Sequence, residues 1–245
     1  MKASSTLGMA ILAATLLANL ATGAIVFQDD FTGSNGTPFD SAKWTVSGLG
    51  AGSSTATIQN NAGQLYANGD NYQRTWATST TGANFLTLGQ TVTYSGSLIK
   101  ILGGYTEGNF GVNQAVSLSY SWGNGYNPEP AHSPTLNLSV AGTYVGSFVI
   151  DASNPNAFSI VLTPTTYTVT MPGVLSGPSS YTGTYSLTNY TGGGKWYLFN
   201  QSDAGTWSGG SSATFDSLTI EVVPEPAALS LLALGGLALL RRRRN

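Results

Sequence analysis

Apolar and polar positions alternate with a period of two through most of the chain. In AVSLSYSW, the side chains of Val116, Leu118 and Tyr120 alternate with serines. The same alternation occurs in TLNLSV and TYTVTM, which begin at Thr135 and Thr166. Because successive side chains of a strand point to opposite faces, this pattern predicts strands that bury one face.

Other stretches rich in β-branched and aromatic residues are further strand candidates. They are KWTV, the stretch around Gln64 to Tyr66, TVTYSGSLI, GTYVGSFVI, FSIVLT, YTGTYSL, KWYLF and SLTIEVV. Turn-rich pieces such as NGD, SNPN and TGGG separate them, and no convincing amphipathic helix interrupts them. About a dozen short strands without alternating helices predict an all-β, antiparallel sandwich or barrel, and no linker divides it into two domains.

The two ends of the chain depart from this alternation. Lys2 is followed by an apolar run over 7–20 and by small residues up to Ala24, which is the layout of a secretory signal peptide. We therefore expect a signal helix over 1–24, cleaved after Gly23 or Ala24. At the other end, residues 227–240 carry no charge. As a helix they reach about 21 Å, against a hydrocarbon core of about 30 Å.

A basic cluster follows this C-terminal apolar run and contains four of the nine Lys and Arg residues of the chain. Arginine side chains that extend to the membrane surface compensate in part for the difference between the helix length and the thickness of the hydrocarbon core. We therefore expect a short transmembrane helix. By the positive-inside rule the cluster stays cytoplasmic and the body lies on the other side of the membrane. The orienting residues are Arg241, Arg242, Arg243 and Arg244.

The tripeptide Pro224, Glu225 and Pro226, followed by the apolar run and the Arg cluster, resembles the PEP-CTERM sorting signal over 223–245. The resemblance implies export by Sec-type machinery and signal peptidase. It also implies recognition of the tripeptide by exosortase, a membrane-embedded cysteine protease. The protein is then expected to be held transiently in the inner membrane before it reaches the cell envelope, outer surface or extracellular matrix.

The two edges of the body carry a second resemblance. FQDDFTGSNGTPFDSAKWTV opens the body at Phe27, and ATFDSLTIEVV closes it at Val223. These stretches are similar to the concanavalin A-like or laminin G-like jelly roll, whose first and last strands typically lie together. The resemblance implies a single β-sandwich domain of this type over 25–222.

The charge of the body limits the classes of partner. Only 8% of the chain is charged, and between Ile25 and Val223 four Lys and Arg residues stand against ten Asp and Glu residues, a net charge of −6. A nucleic-acid binder needs clustered cations to displace counterions from phosphates, so we expect no nucleic-acid partner. The absence of cysteine excludes disulfides, thiol catalysis and Cys-based zinc sites.

The sequence contains no recognisable catalytic constellation. The jelly-roll superfamily includes laminarinase-type glycoside hydrolases, and retaining hydrolysis needs two carboxyl groups about 5–5.5 Å apart. This chain has no Glu-x-Asp-x-x-Glu run, and Glu107 and Glu129 are isolated in a glycine-rich and a proline-rich stretch that we interpret as loops. The single histidine, His132, has no Gly-x-Ser-x-Gly partner motif. We therefore expect a non-enzymatic protein.

Two kinds of binding site remain as candidates. Jelly rolls often hold calcium where their terminal strands meet, and carboxylates suit this ion. The candidate ligands, which as an alternative are strand-end and turn residues, are Asp29, Asp30 and Asp216. Aromatic side chains can stack on sugars, and the candidates for carbohydrate binding, with core packing as the alternative for Trp122, are Trp122, Tyr126 and Trp207.

The leading hypothesis is a structural or adhesive protein of the envelope or extracellular matrix, with polysaccharide as a candidate ligand. The second hypothesis, from another class, is a divergent polysaccharide-acting hydrolase or lyase on the same fold. Turnover on a matrix polysaccharide distinguishes the two.

Overall fold

The computed structural model shows a body built from β-strands. It describes residues 23–49, 53–68, 73–87, 89–103, 106–122, 135–151, 154–202 and 210–224. Every regular element in these ranges is a strand, and none of the described residues forms a helix long and apolar enough to cross a bilayer. The signal helix and the transmembrane helix predicted for the ends lie outside the described residues.

The described part of the chain contains fifteen strands in two sheets. The eight-stranded sheet contains β1 (Ala24–Asp29), β3 (Ser53–Gln59), β4 (Ala62–Asn68), β6 (Gln90–Leu102), β11 (Asn156–Leu162), β12 (Thr166–Thr170), β13 (Ser180–Thr184) and β15 (Ser211–Pro224). The seven-stranded sheet contains β2 (Trp44–Leu49), β5 (Gln73–Gly82), β7 (Thr106–Val112), β8 (Val116–Trp122), β9 (Thr135–Val140), β10 (Thr143–Val149) and β14 (Lys195–Ser202).

All strand pairs are antiparallel. The eight-stranded sheet has the order β13-β12-β11-β6-β15-β4-β3, and β1 also pairs with β15. The seven-stranded sheet has the order β10-β9-β8-β7-β14-β5-β2, so β7 is its central strand. The predicted antiparallel β-sandwich is confirmed.

The first and last strands lie together, as the jelly-roll resemblance implies. Asp29 of β1 is opposite Leu218 of β15, and Ala24 is opposite Val222. The predicted body covers 25–222, whereas β1 begins at Ala24 and β15 continues to Pro224. The paired region therefore includes one residue assigned to the signal peptide and the first two residues assigned to the sorting tail.

An aromatic core fills the space between the sheets. Trp196 is fully buried and contacts Tyr94 and Phe158 edge-on, with ring centroids 5.4 and 5.9 Å apart. Phe110 of the seven-stranded sheet meets Phe215 of the eight-stranded sheet at 5.2 Å. Such edge-to-face contacts add to the stabilisation that the buried aromatic area provides.

Four strands are missing from the candidates found by alternation, namely β1, β3, β5 and β7, and the jelly-roll resemblance alone implied β1. The inward positions of β5 include Thr75, Ala77 and Ser79, which are small or polar, so no apolar alternation marks this strand. In β7 the inward position between Thr106 and Phe110 is Gly108. The interpretation of the Glu107 stretch as a loop is therefore wrong, because this residue lies in the central strand of its sheet.

Candidate functional site

The outer face of the seven-stranded sheet carries three rows of side chains across β5, β14 and β7. Strand β14 supplies the middle member of each row, namely Gln201, Phe199 and Tyr197. Side chains two residues apart on a strand are separated by about 6.7 Å, so the rows extend over about 13 Å along β14. We call this surface the outer-face site.

The first row is a hydrogen-bonded chain of three polar side chains. Nε of Arg74 donates to Oε1 of Gln201 at 2.7 Å, and Nε2 of Gln201 donates to Oε2 of Glu107 at 3.5 Å. Gln201 is buried within this chain, whereas the Glu107 carboxylate is exposed. The row therefore ends in an accessible carboxylate on the central strand of the sheet.

The second row places aromatic rings beside this chain. Trp76 and Phe199 are opposite each other and meet edge-on at 6.0 Å, and Asn109 lies on the other side of Phe199. All three side chains are partly exposed. An apolar ring bordered by an amide offers both a stacking surface and a hydrogen-bonding group to a ligand.

The third row borders a depression in the surface. Tyr197 lines it together with Asn109, Ser117 and Ser139, and its volume is about 290 Å³. Burial raises the pKa of Tyr197, while the positive charge of Arg74 partly offsets this effect. The hydroxyl of Tyr197 therefore stays protonated at neutral pH and can donate a hydrogen bond into the site.

A buried polar network supports the site from inside the sandwich. The Tyr120 hydroxyl donates to Oδ1 of Asn200 at 3.1 Å, and Nδ2 of Asn200 donates to the carbonyl and hydroxyl of Ser211 at 3.1 and 3.0 Å. A β-carbon on Gly108 would lie 2.2 Å from the Tyr120 hydroxyl, so this position has no room for a larger residue. Asn200 precedes Gln201 and Gly108 follows Glu107, so the network holds both strands where they carry the first row.

The outer-face site presents a single carboxylate on β7. The next residues of this strand on the same face are Asn109 and Gly111, so the described strand lacks a second acid where retaining glycosidases have one. One positioned carboxylate can still act as a general acid or base. Neither Arg74 nor Trp76 was singled out from the sequence, because β5 was not recognised as a strand. Alternation of Glu107 and Asn109 with buried residues was the available signal.

The predicted calcium ligands lie at the junction of β1 and β15. The Asp29 carboxylate accepts hydrogen bonds from the indole of Trp44 at 2.7 Å and the backbone of Phe31 at 3.1 Å, and it pairs with Lys43 at 3.2 Å. Within the described ranges, no group of three or more His, Cys, Asp or Glu residues could hold a metal ion. Calcium binding stays a prediction.

The other two predicted calcium ligands lie near this end of β1 and in β15. Asp30 is exposed, and both of its carboxylate oxygens accept hydrogen bonds from Nε2 of Gln28, at 3.2 and 3.1 Å. Asp216 lies opposite Ser97 of β6, at an irregularity in the pairing of β15.

The predicted carbohydrate-binding residues are not part of the outer-face site as described. Trp122 is the last residue of β8, and only its backbone position is described. Tyr126, Trp207, Glu129 and His132 lie outside the described residues. Of the sorting tripeptide, the described residues include only Pro224, at the end of β15.

Comparison with known families identifies the C-terminal segment. Residues 222–244 match the PEP-CTERM protein-sorting motif, which confirms the resemblance found in the sequence. The chain is therefore an exported protein with a C-terminal membrane-anchoring sorting signal, and the motif implies processing by an exosortase. No curated protein matches the chain.

Solved structures with the same fold include a glycosyl hydrolase family protein from Mycobacterium fortuitum, at 14% identity and a TM-score of 0.52 over 80% of this chain and 99% of that chain. A glycosyl hydrolase family 16 protein from Mycobacterium smegmatis matches at 13% identity and a TM-score of 0.51 over 80% and 100%. A β-1,3-glucanase from Mycobacterium marinum matches at 15% and 0.50 over 81% and 99%. At these identities the matches establish the fold, and they confirm the concanavalin A-like jelly roll.

These matches correct the expectation of a non-enzymatic protein. That expectation rested on the absence of an acidic run that the hydrolases on this fold carry. The proteins with the same architecture are named as glycosyl hydrolases and a glucanase, and the structure places a carboxylate on the central strand of one sheet. The missing run therefore does not exclude an enzyme, and the expectation drawn from it is wrong.

Proposed function

We propose that the body binds a polysaccharide at the outer-face site and cleaves it there, with Glu107 as the general acid or base. The observation that carries the proposal is the row of hydrogen-bonded side chains from Arg74 through Gln201 to the exposed Glu107 carboxylate. The row that contains the Trp76 ring lies next to it. The fold shared with glycosyl hydrolases supports the same substrate class.

Binding follows from the composition of the three rows. A sugar ring stacks on the exposed part of Trp76 and Phe199, because the apolar face of a pyranose and an aromatic ring exclude water from each other. The amide of Asn109 and the hydroxyl of Tyr197 donate to sugar hydroxyls and fix the orientation. The depression beside Tyr197 accepts the neighbouring sugar unit.

In hydrolysis Glu107 acts as the general base, and a single proton transfer to its carboxylate is needed. As a carboxylate it takes a proton from a water molecule, which adds to the anomeric carbon as the glycosidic C–O bond breaks. The leaving oxygen takes a proton from solvent. The amide of Gln201 contacts the carboxylate at 3.5 Å and orients it.

A lyase is the second candidate, and Arg74 favours it. In β-elimination from a uronic acid, a base removes the proton next to the carboxyl group, the C–O bond to the leaving sugar breaks and a C=C bond forms. The leaving oxygen takes up a proton. A guanidinium that neutralises the substrate carboxylate makes that carbon-bound proton more acidic, and Arg74 is the cation of the outer-face site.

The two ends of the chain direct the body out of the cytoplasm. Sec-type machinery exports the chain, signal peptidase cleaves it after Gly23 or Ala24, and an exosortase-like protease processes the tail. The mature body then works at the cell envelope or in the extracellular matrix, where polysaccharide is the surrounding material. The sorting motif supports this route.

A substrate screen with the Glu107→Gln variant tests the proposal. The purified body is incubated with β-1,3-glucan, mixed-linkage glucan and uronic-acid polysaccharides, and reducing ends and unsaturated products are measured. We expect turnover by the wild type and a loss of about 10²- to 10⁴-fold in kcat in the variant. Reducing ends without unsaturation identify a hydrolase, and unsaturated products identify a lyase.

The matched control is Glu221→Gln, the same chemical change on β15 of the opposite sheet. It should retain wild-type turnover. Turnover that survives in Glu107→Gln, or that falls equally in both variants, contradicts the assignment of Glu107.

A further inference from the structure

The sorting motif and the folded sheet overlap in three residues. The match to the PEP-CTERM motif begins at Val222, whereas β15 continues through Val223 to Pro224. These residues are opposite Val92, Thr91 and Gln90 of β6, and Val222 is also opposite Ala24 of β1. The beginning of the signal is thus held in the interior of a sheet, with a strand on each side at Val222.

The chain offers almost no spacer between this sheet and the anchoring segment. Glu225 and Pro226 alone separate Pro224 from the apolar run that begins at Ala227. Even fully extended, the chain from Pro224 to Ala227 spans at most about 11 Å. An enzyme that binds the tripeptide at the membrane must therefore bind a segment whose first residue, Pro224, is still paired in β15.

Burial along β15 changes sharply just before the motif. Leu218 and Ile220 are fully buried in the core, whereas Val222 is partly exposed where it packs against the core, and residues 223–224 are partly exposed. In the partner strand, Ile25 and Val26 are 59% and 40% exposed. Opening of strand ends with few buried contacts costs little free energy, whereas opening past a buried core residue approaches global unfolding.

We propose that residues 222–224 detach from β6 and β1 before the tail is processed, so that the processing enzyme binds the tripeptide that begins at Pro224 on a released strand end. Ile220 sets the limit of the detachment, so the body stays folded while its last residues become an extended peptide. The partner is the membrane protease that recognises the sorting motif. The inference concerns tail processing and stands independently of any activity at the outer-face site.

Engineered disulfides in the full-length chain test this, because the protein has no cysteine that could interfere. The locking pair is Thr91→Cys with Val223→Cys, which ties the end of β15 to β6. The control pair is Ser95→Cys with Thr219→Cys, four residues further into the same two strands, where the native hydroxyls are 2.6 Å apart. Loss of reactivity toward a maleimide verifies each bond.

Processing is followed in a host with a PEP-CTERM processing enzyme, as the fraction of chains that lose the tail by intact mass. We expect the locking pair to reduce this fraction at least tenfold and the control pair to match the wild type. Adding Gly-Ser-Gly-Ser between Val223 and Pro224 of the locked chain should restore processing, because the tripeptide then lies on a free peptide.

Two results overturn the proposal. One is normal processing of a locked chain whose disulfide is verified. The other is a block that persists after the spacer is added, because the tether is then not its cause. Resistance of the three variants to a soluble protease confirms that each body is folded.

Discussion

The Tyr120 hydroxyl of β8 lies 3.1 Å from Oδ1 of Asn200 in β14, and both side chains are buried. The two strands are separated by β7 in the seven-stranded sheet, so this hydrogen bond passes beneath the central strand. Gly108 of β7 leaves the space through which the Tyr120 ring reaches across. The geometry of the outer-face site thus depends on a polar contact made on the opposite face of its sheet.

We expect Asn200→Ala to lower the free energy of unfolding by about 1–3 kcal/mol. The variant removes the amide that accepts from the Tyr120 hydroxyl and donates to Ser211, so that this hydroxyl keeps only its longer contact to the Phe199 carbonyl at 3.3 Å. Loss of buried hydrogen-bond partners costs about that amount. Urea denaturation measures it as a lower midpoint. Asn137→Ala, on the partly exposed face of β9, is the control and should change the value by less than about 0.5 kcal/mol. Equal effects of the two variants would argue against the network.

Substitution of two tryptophans should distinguish an effect on ligand binding from an effect on stability. Trp76→Ala removes a partly exposed ring of the outer-face site, so we expect polysaccharide affinity to fall about tenfold or more, with stability reduced by less than about 1.5 kcal/mol. Trp196→Ala removes a fully buried ring and should cost about 3–5 kcal/mol of stability. Affinity electrophoresis and denaturant titration measure the two quantities. Wild-type affinity in Trp76→Ala would exclude its ring as a stacking surface.

The sequence predicts the architecture well because most strands bury one regular apolar face. Val116, Leu118 and Tyr120 of β8 are all buried, as their alternation predicts. The adjacency of β1 and β15 could be inferred only from the resemblance to a known fold, since no local pattern specifies which strands pair. Register and sheet order depend on contacts between residues far apart in the chain.

The candidate site could not be predicted from periodicity, because the inner positions of the strands that carry it are small or polar. Strand β7 carries Gly108 where an apolar residue would mark a strand, because the space is taken by Tyr120. Strand β5 places Thr75 and Ser79 inside, where they hydrogen-bond to Tyr66 and Thr81 carbonyls. Periodicity detects apolar burial and misses strands whose inner face is polar or small, although their outer face carries Arg74 and Glu107.

Alkaline pH should destabilise the body through its buried tyrosines. Burial is the main cause that raises the pKa of Tyr94, Tyr120 and Tyr185, and it raises the pKa of Tyr190 to about 12. In the unfolded chain these groups ionise near pH 10. Above that pH the unfolded state binds fewer protons than the folded state, so stability is complete below pH 10 and is lost as pH rises toward 12 and beyond.

The free energy of unfolding, measured by urea titration at successive pH values, should therefore decline steadily from about pH 10. Tyr190→Phe removes one of the contributing groups. The free energy of unfolding of this variant should therefore fall less steeply between pH 10 and 12, with a slope smaller by up to the contribution of one bound proton. The variant also loses the acceptor of the Gly194 N–H at 2.9 Å, which lowers stability equally at all pH values below 10. The slope of the pH dependence, and not the absolute stability, is accordingly the quantity to compare. A stability that does not change with pH up to 12 would mean that water reaches these hydroxyls in the folded body.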